Sequence, residues 1–205
     1  LVAADFPALR TAALSVGARP IRARATVGGN VTTARDDHSF VPVLLALEAR
    51  ITVRDESGER TLPLADFIAD SSNGSAHPSD VLITSISVDR VDGPQLMYRV
   101  GPRNGPCYAT ASIALVVDRP AKRIRLALGG AGATCVRAAE AEEMASSACD
   151  WATLSLSGEA AQEFGQLAAR AVSPKTDPVA SGAYRKHAIE VMARRAISRV
   201  LNGEA

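Results

Sequence analysis

Apolar residues fall on one helical face near the start of the chain, at Leu9, Ala12, Ala13 and Val16. Asp5 precedes them as a candidate N-cap, Pro7 suits a first turn, and Gly17 ends the run. Residues 19–26 then predict an extended segment that delivers Gly28 and Gly29 into a turn. After a polar loop to Ser39, residues 40–47 are apolar without alternation. That pattern predicts a short buried helix with Pro42 in its first turn. Residues 49–54 alternate and predict a strand; the turn 56–59 and the return 60–64 complete a hairpin. A short helix at 65–68 and a surface loop rich in Ser, Gly, Asn and Pro at 70–80 follow.

The second half is read the same way. Strands are predicted at 81–88, 97–100 and 108–118, with a loop at 101–106. Residues 123–128 alternate, which predicts one buried face and one polar face, paired as a hairpin with 108–118 through the turn 119–122. Helices are predicted at 137–148 and 159–172, with Ser173-Pro174 as a stop. Residues 151–156 fit neither pattern, and 175–179 form a polar linker. Ser181 caps a last helix in which Tyr184, Ala188, Met192, Ile197, Val200 and Leu201 take much of one side. Helices and short strands mixed first, then a small antiparallel sheet followed by helices, predict an α+β fold in two parts, 1–95 and 96–205. No internal repeat is visible.

Composition narrows the function classes. The 205 residues are 47% hydrophobic and 22% charged, ordinary for a globular chain. A net charge of +1 offers no basic face for nucleic acid, and 4% aromatics offer no stacking platform. No run reaches membrane-span length, and no signal peptide is recognisable. Cys107, Cys135 and Cys149 form neither a disulfide framework nor an iron-sulfur ligand set, and read as reduced thiols of a cytoplasmic protein. His38, His77 and His187 have no metal spacing, and Asp36-Asp37-His38 reads as a polar loop. No nucleophile elbow is visible, and no catalytic residue and no metal ligand is assigned.

One stretch carries candidate chemistry: Thr26-Val27-Gly28-Gly29-Asn30. Successive glycine amides can line a concavity that holds an anionic oxygen, and Asn30 adds a side-chain donor and acceptor beside them. Its neighbours Arg19, Arg22 and Arg24 read as a solvated rim or as partners for a phosphate.

Five stretches together resemble a known family: IRARATVGGN at 21–30, PVLLAL and PLADF at 42–47 and 63–67, YRVGPR at 98–103, IRLALGGAGATCVR at 124–137, and YRKHAIEVMARR at 184–195. The chain is similar to the FAD-binding medium subunits of molybdenum hydroxylases, the group of aerobic carbon monoxide dehydrogenase and bacterial relatives of xanthine dehydrogenase. The resemblance implies a second FAD-binding subdomain at 1–95 and the C-terminal sheet-plus-helix domain at 96–205. The first subdomain, with its own Gly-Gly turn, is expected to be absent from this stretch or supplied by a separate chain or segment. The implied cofactor is FAD, touched by Thr26, Val27, Gly28, Gly29 and Asn30.

Two positions depart from the pattern. Ser39 stands where the family usually has an aspartate, and Arg99 where it often has lysine; both are carried as cofactor-site candidates. Gly129-Gly130 is expected to be a turn of the C-terminal part. The implied function is electron transfer, with FAD here passing electrons from iron-sulfur clusters to an acceptor. The molybdenum cofactor and [2Fe-2S] clusters then belong to a large and a small partner subunit. The alternative is an assembly or binding protein that keeps the fold with weakened or lost flavin binding.

Overall fold

The computed structural model describes residues 2–33, 35–72, 81–102 and 108–202. Most of the predicted loops at 101–106 and 70–80 lies outside the described residues, as does Cys107.

The chain opens with α1 (Val2–Asp5) and α2 (Pro7–Ser15), which buries Ala8, Leu9 and Ala12. Asp5 does not cap α2; Phe6 holds that position, and Asp5 accepts an ion pair from Arg90. Residues 19–26 are not extended. Arg19–Arg22 form a helical turn, α3, because Pro20 in its first turn already has a helical φ. Arg22 then reaches back to the carbonyls of Val16 and Gly17, which closes the end of α2.

The Gly-Gly stretch is likewise a helix rather than a turn: α4 spans Val27–Thr32. Helix α5 (Phe40–Ala46) is as the sequence predicts, with Val41 to Ala46 all buried. Its chain leaves through Glu48, at φ 54°. Strands β1 (Arg50–Asp55) and β2 (Gly58–Pro63) form the expected hairpin, from Arg50 opposite Pro63 to Asp55 opposite Gly58. After α6 (Leu64–Ser72), β3 (Leu82–Ser87) joins the other edge of β1, with a register shift at Thr52/Val53.

The second sheet is an antiparallel meander of β4 (Gln95–Val100), β5 (Ala111–Asp118), β6 (Arg123–Gly129) and the short β7 (Val136–Arg137). Helices α7 (Ala139–Ala148), α8 (Gly158–Arg170) and α9 (Gly182–Asn202) cover one face. Ser157 caps α8, Ser181 caps α9, and Asn202 exchanges two hydrogen bonds with the Leu156 backbone at 3.0 and 2.9 Å. Tyr184 is exposed, whereas Ala188, Met192, Ile197 and Leu201 are buried.

Neither face of this sheet is polar. Ile113, Leu115 and Val117 of β5 and Ile124, Leu126 and Leu128 of β6 point into the core beneath α7–α9. Ala114, Val116 and Ala127 belong to a second core, shared with α2, α5 and β1. The alternation in β6 was therefore misleading. Arg125 is 4% exposed, donating to Glu48 at 3.1 Å and to Asp118 at 2.7 Å. Glu48 also receives Arg123 and Arg137, both at 2.9 Å, and Arg137 pairs with Glu142. A buried cation persists where fixed carboxylates meet it.

At the end of β6, Gly130 takes φ 69° and donates to the Asp36 carbonyl at 2.8 Å. A Cβ on Gly129, the last residue of β6, would stand 2.8 Å from that same oxygen, so the strand ends in close contact with the Asp36 loop and the chain bends at Gly130 instead of forming the expected Gly129-Gly130 turn. Cys135 lies against the same carbonyl at 3.6 Å and is 4% exposed; burial pushes its thiol well above the ordinary value.

Candidate functional site

Helix α4 starts at Thr26, whose φ of −119° and ψ of 153° are those of an N-cap. Its Oγ1 accepts the Gly29 N–H at 3.0 Å. Among the helix's first amides, those of Val27 and Gly28 have no partner in the helical ladder, while that of Gly29 is engaged. Gly28 stands open: a Cβ built on it meets nothing within 4 Å. Val27 and Gly28 border an apolar groove of about 710 Å³, walled by Phe6, Leu9, Leu14, Phe40, Ile83 and Ile86 among others. Leu14, Val27 and the adjoining Leu82 are exposed at 57%, 39% and 64%. Exposed apolar side chains gathered in one patch mark a surface that something covers.

Asn30 turns to a different cavity, a cleft of about 390 Å³ shared with Val16, Gly17, Ala18, Ile21, His38, Ser39 and Tyr108. The structure thus divides the stretch between two hollows. The Asn30 side-chain oxygen accepts the Phe40 N–H at 3.3 Å, tying α4 to the start of α5. Ser39 is 5% exposed and 2.7 Å from the Ser15 hydroxyl. The Ser15 hydroxyl donates and is shared between Ser39 and the Ala12 carbonyl, each at 2.7 Å. Arg99 donates to the Ser15 carbonyl at 2.9 Å. Ser39 and Arg99 therefore meet at Ser15, and Arg99 lines neither of these two hollows.

The loop read as merely polar is more organised than its composition suggests. Arg35 grips Asp37 through two bonds, at 3.0 and 2.6 Å, and lies 5.2 Å from the centre of the Tyr108 ring. His38 stacks on Tyr108 at 6.3 Å and 16°. Burial, then the charge of Asp37, pushes the Asp36 carboxyl above its ordinary value. Asp36 and Arg35 face a third, polar cleft of about 480 Å³ with Gly130, Lys175, Asp177 and Arg185. Arg185 is 7% exposed and donates to the Thr110 carbonyl and to Asp177, at 2.5 and 2.6 Å. No local spacing announces these partners, because Tyr108 and Arg185 arrive from distant segments.

Among the described residues, no group of three or more His, Cys, Asp or Glu side chains is arranged to hold a metal ion. Nor is any helix long and apolar enough to cross a membrane.

Residues 1–89 match the family described as the FAD binding domain in molybdopterin dehydrogenase. Residues 97–200 match the CO dehydrogenase flavoprotein C-terminal domain. The glyceraldehyde dehydrogenase medium chain of Sulfolobus acidocaldarius is 27% identical over 98% of this chain and 70% of its own length. The 6-hydroxypseudooxynicotine dehydrogenase complex subunit alpha of Paenarthrobacter nicotinovorans is 30% identical over 98% and 67%. A solved CO dehydrogenase from Oligotropha carboxidovorans superposes with a TM-score of 0.81 at 21% identity, over 98% of this chain and 69% of that one; it shares the fold.

Proposed function

The chain belongs to the family of FAD-binding medium subunits of molybdenum hydroxylases, and from that premise we propose that it holds FAD at α4 and serves as the electron-transfer subunit of its complex. Its relatives are dehydrogenase and hydroxylase subunits, so the chain is part of an oxidoreductase. The single observation that carries the site is the open ground above Gly28. Backbone that lacks a side chain and borders a large groove allows a ligand to approach the free amides of Val27 and Gly28. The residues present fit the group: two unpartnered amides at a helix start suit phosphate oxygens, and the apolar wall suits a flat ring.

FAD, when bound, supplies the redox chemistry. The chain's own residues bind and orient it and shed water from the groove. Thr26 fixes the helix start, and Asn30 locks α4 onto α5. Ser39 and Arg99 contribute through their joint hold on Ser15. The remaining FAD-binding subdomain, on this or another polypeptide, covers the apolar groove around Leu14 and Val27. A large subunit carries the molybdenum cofactor and a small one the [2Fe-2S] clusters, and the acceptor lies outside all three. The free thiols Cys135 and Cys149 suit a cytoplasmic setting. Dividing the chain into subdomains at 95/96 is part of this reading.

A second reading has its own support. The Asn30 oxygen and the Ser39 hydroxyl are spent within the fold, as expected of an assembly or binding protein with weakened flavin contact. Gly28→Ala separates the two. A Cβ there meets no atom, and alanine stabilises a helix relative to glycine by about 0.5–1 kcal/mol. We expect the variant complex to melt no lower than wild type, yet to lose flavin absorbance on desalting. A folded wild-type complex without flavin colour establishes the second reading instead.

A further inference from the structure

The cleft beneath Asn30 contains one group whose chemistry is not yet used. The His38 Nδ1 stands 3.0 Å from the Asn30 carbonyl oxygen and 3.1 Å from the Thr33 hydroxyl. A carbonyl has no proton to give, so Nδ1 carries the hydrogen and donates it. In the neutral ring this leaves Nε2 with a free lone pair. Asp37 Oδ1 lies 3.9 Å from it, beyond hydrogen-bond reach and itself an acceptor.

Several other polar groups of the cleft are committed elsewhere: the Asn30 oxygen takes the Phe40 amide, Ser39 accepts from Ser15, and the Asp37 carboxylate is held by Arg35. The His38 side chain is only 15% exposed, and its ring is braced against Tyr108. Val16, Ala18 and Ile21 supply an apolar wall opposite these polar groups. A mostly apolar cleft with a fixed, unspent acceptor is suited to orient a ligand that carries an O–H.

We propose that His38 is a positioning residue for the cofactor, its Nε2 accepting a hydrogen bond from a hydroxyl of FAD that enters the cleft shared with Asn30 and Tyr108, while the flavin ring lies on the apolar groove. The proposal rests on the FAD reading above and adds a residue and a direction of hydrogen bonding to it.

The test uses the purified complex, stripped of flavin and titrated with FAD while flavin fluorescence is followed. His38→Gln places an acceptor near Nε2 and should stay within about threefold of wild type. His38→Phe keeps the stack on Tyr108 without the acceptor and should weaken binding about tenfold, near 1.4 kcal/mol. Equal affinity in His38→Phe and wild type, or binding in His38→Gln as weak as in His38→Phe, overturns the assignment of His38 alone. A wild-type complex that takes up no FAD overturns the cofactor reading with it. If His38→Phe does not fold, His38→Leu takes its place in the same comparison.

Discussion

Thr26 closes the first turn of α4 with one hydroxyl, and its removal should be felt in the fold as well as at the cofactor. Thr26→Ala should cost about 1 kcal/mol in urea unfolding, and Thr26→Ser should recover most of it. Asp36 behaves in the opposite sense. Burial and the nearby Asp37 charge raise its folded pKa above the ordinary 3.8. A carboxyl raised on folding costs stability once the pH exceeds its unfolded value, and the cost grows until the folded group has also ionised. Asp36→Asn keeps an acceptor and removes the charge. We expect it to raise the melting temperature near neutral pH, with the gain vanishing below about pH 4. At this scale the sequence showed which residues were unusual but not their partners. Ser39 and Arg99 stood out only against the family pattern, and only folding brings both to Ser15.

Among the elements, the corner where α5 enters β1 carries the strongest electrostatics. Burial alone would raise the Glu48 carboxyl, but the hydrogen bond from Arg137 and the charges of Arg125 and Arg123 outweigh it and hold the pKa below 4.5. A carboxyl lowered on folding stabilises above its unfolded pKa and loses that contribution as the pH falls through the folded value. Glu48→Gln should therefore cost about 1–2 kcal/mol near neutral pH, discounted because the carboxylate is partly exposed. The difference from wild type should shrink in chemical denaturation below pH 4.5. Helix α5 and the β1–β2 hairpin were legible in the sequence, because a buried apolar run and a turn between alternating strands are local signals. Strand β6 was not, because the carboxylates that allow Arg125 to be buried lie on other elements. Helix α4 hid behind two glycines, poor helix formers, although its cap was visible in Thr26.

The molecule as a whole is built on the β4–β7 sheet, which serves two cores at once. Met97, Ala114, Val116, Ala127 and Cys135 complete the core that begins at Phe6 and runs through α5 and β1. Residues 1–95 alone would leave that core open along one side, so we expect the isolated segment to lack a cooperative thermal transition in calorimetry. The intact chain should melt in a single one. The α+β class was readable from the order of elements. The cavities were not, since each is walled by residues from well-separated segments. The sheltered thiol of Cys135 turns this shared architecture into a clock. Its sulfur sits where β6, β7 and the Asp36 loop meet, so a maleimide can reach it only when the two halves part. With Cys107 and Cys149 replaced by serine, the labelling rate counts those partings in the native ensemble. A partner seated on the apolar groove should slow that count without touching the cysteine.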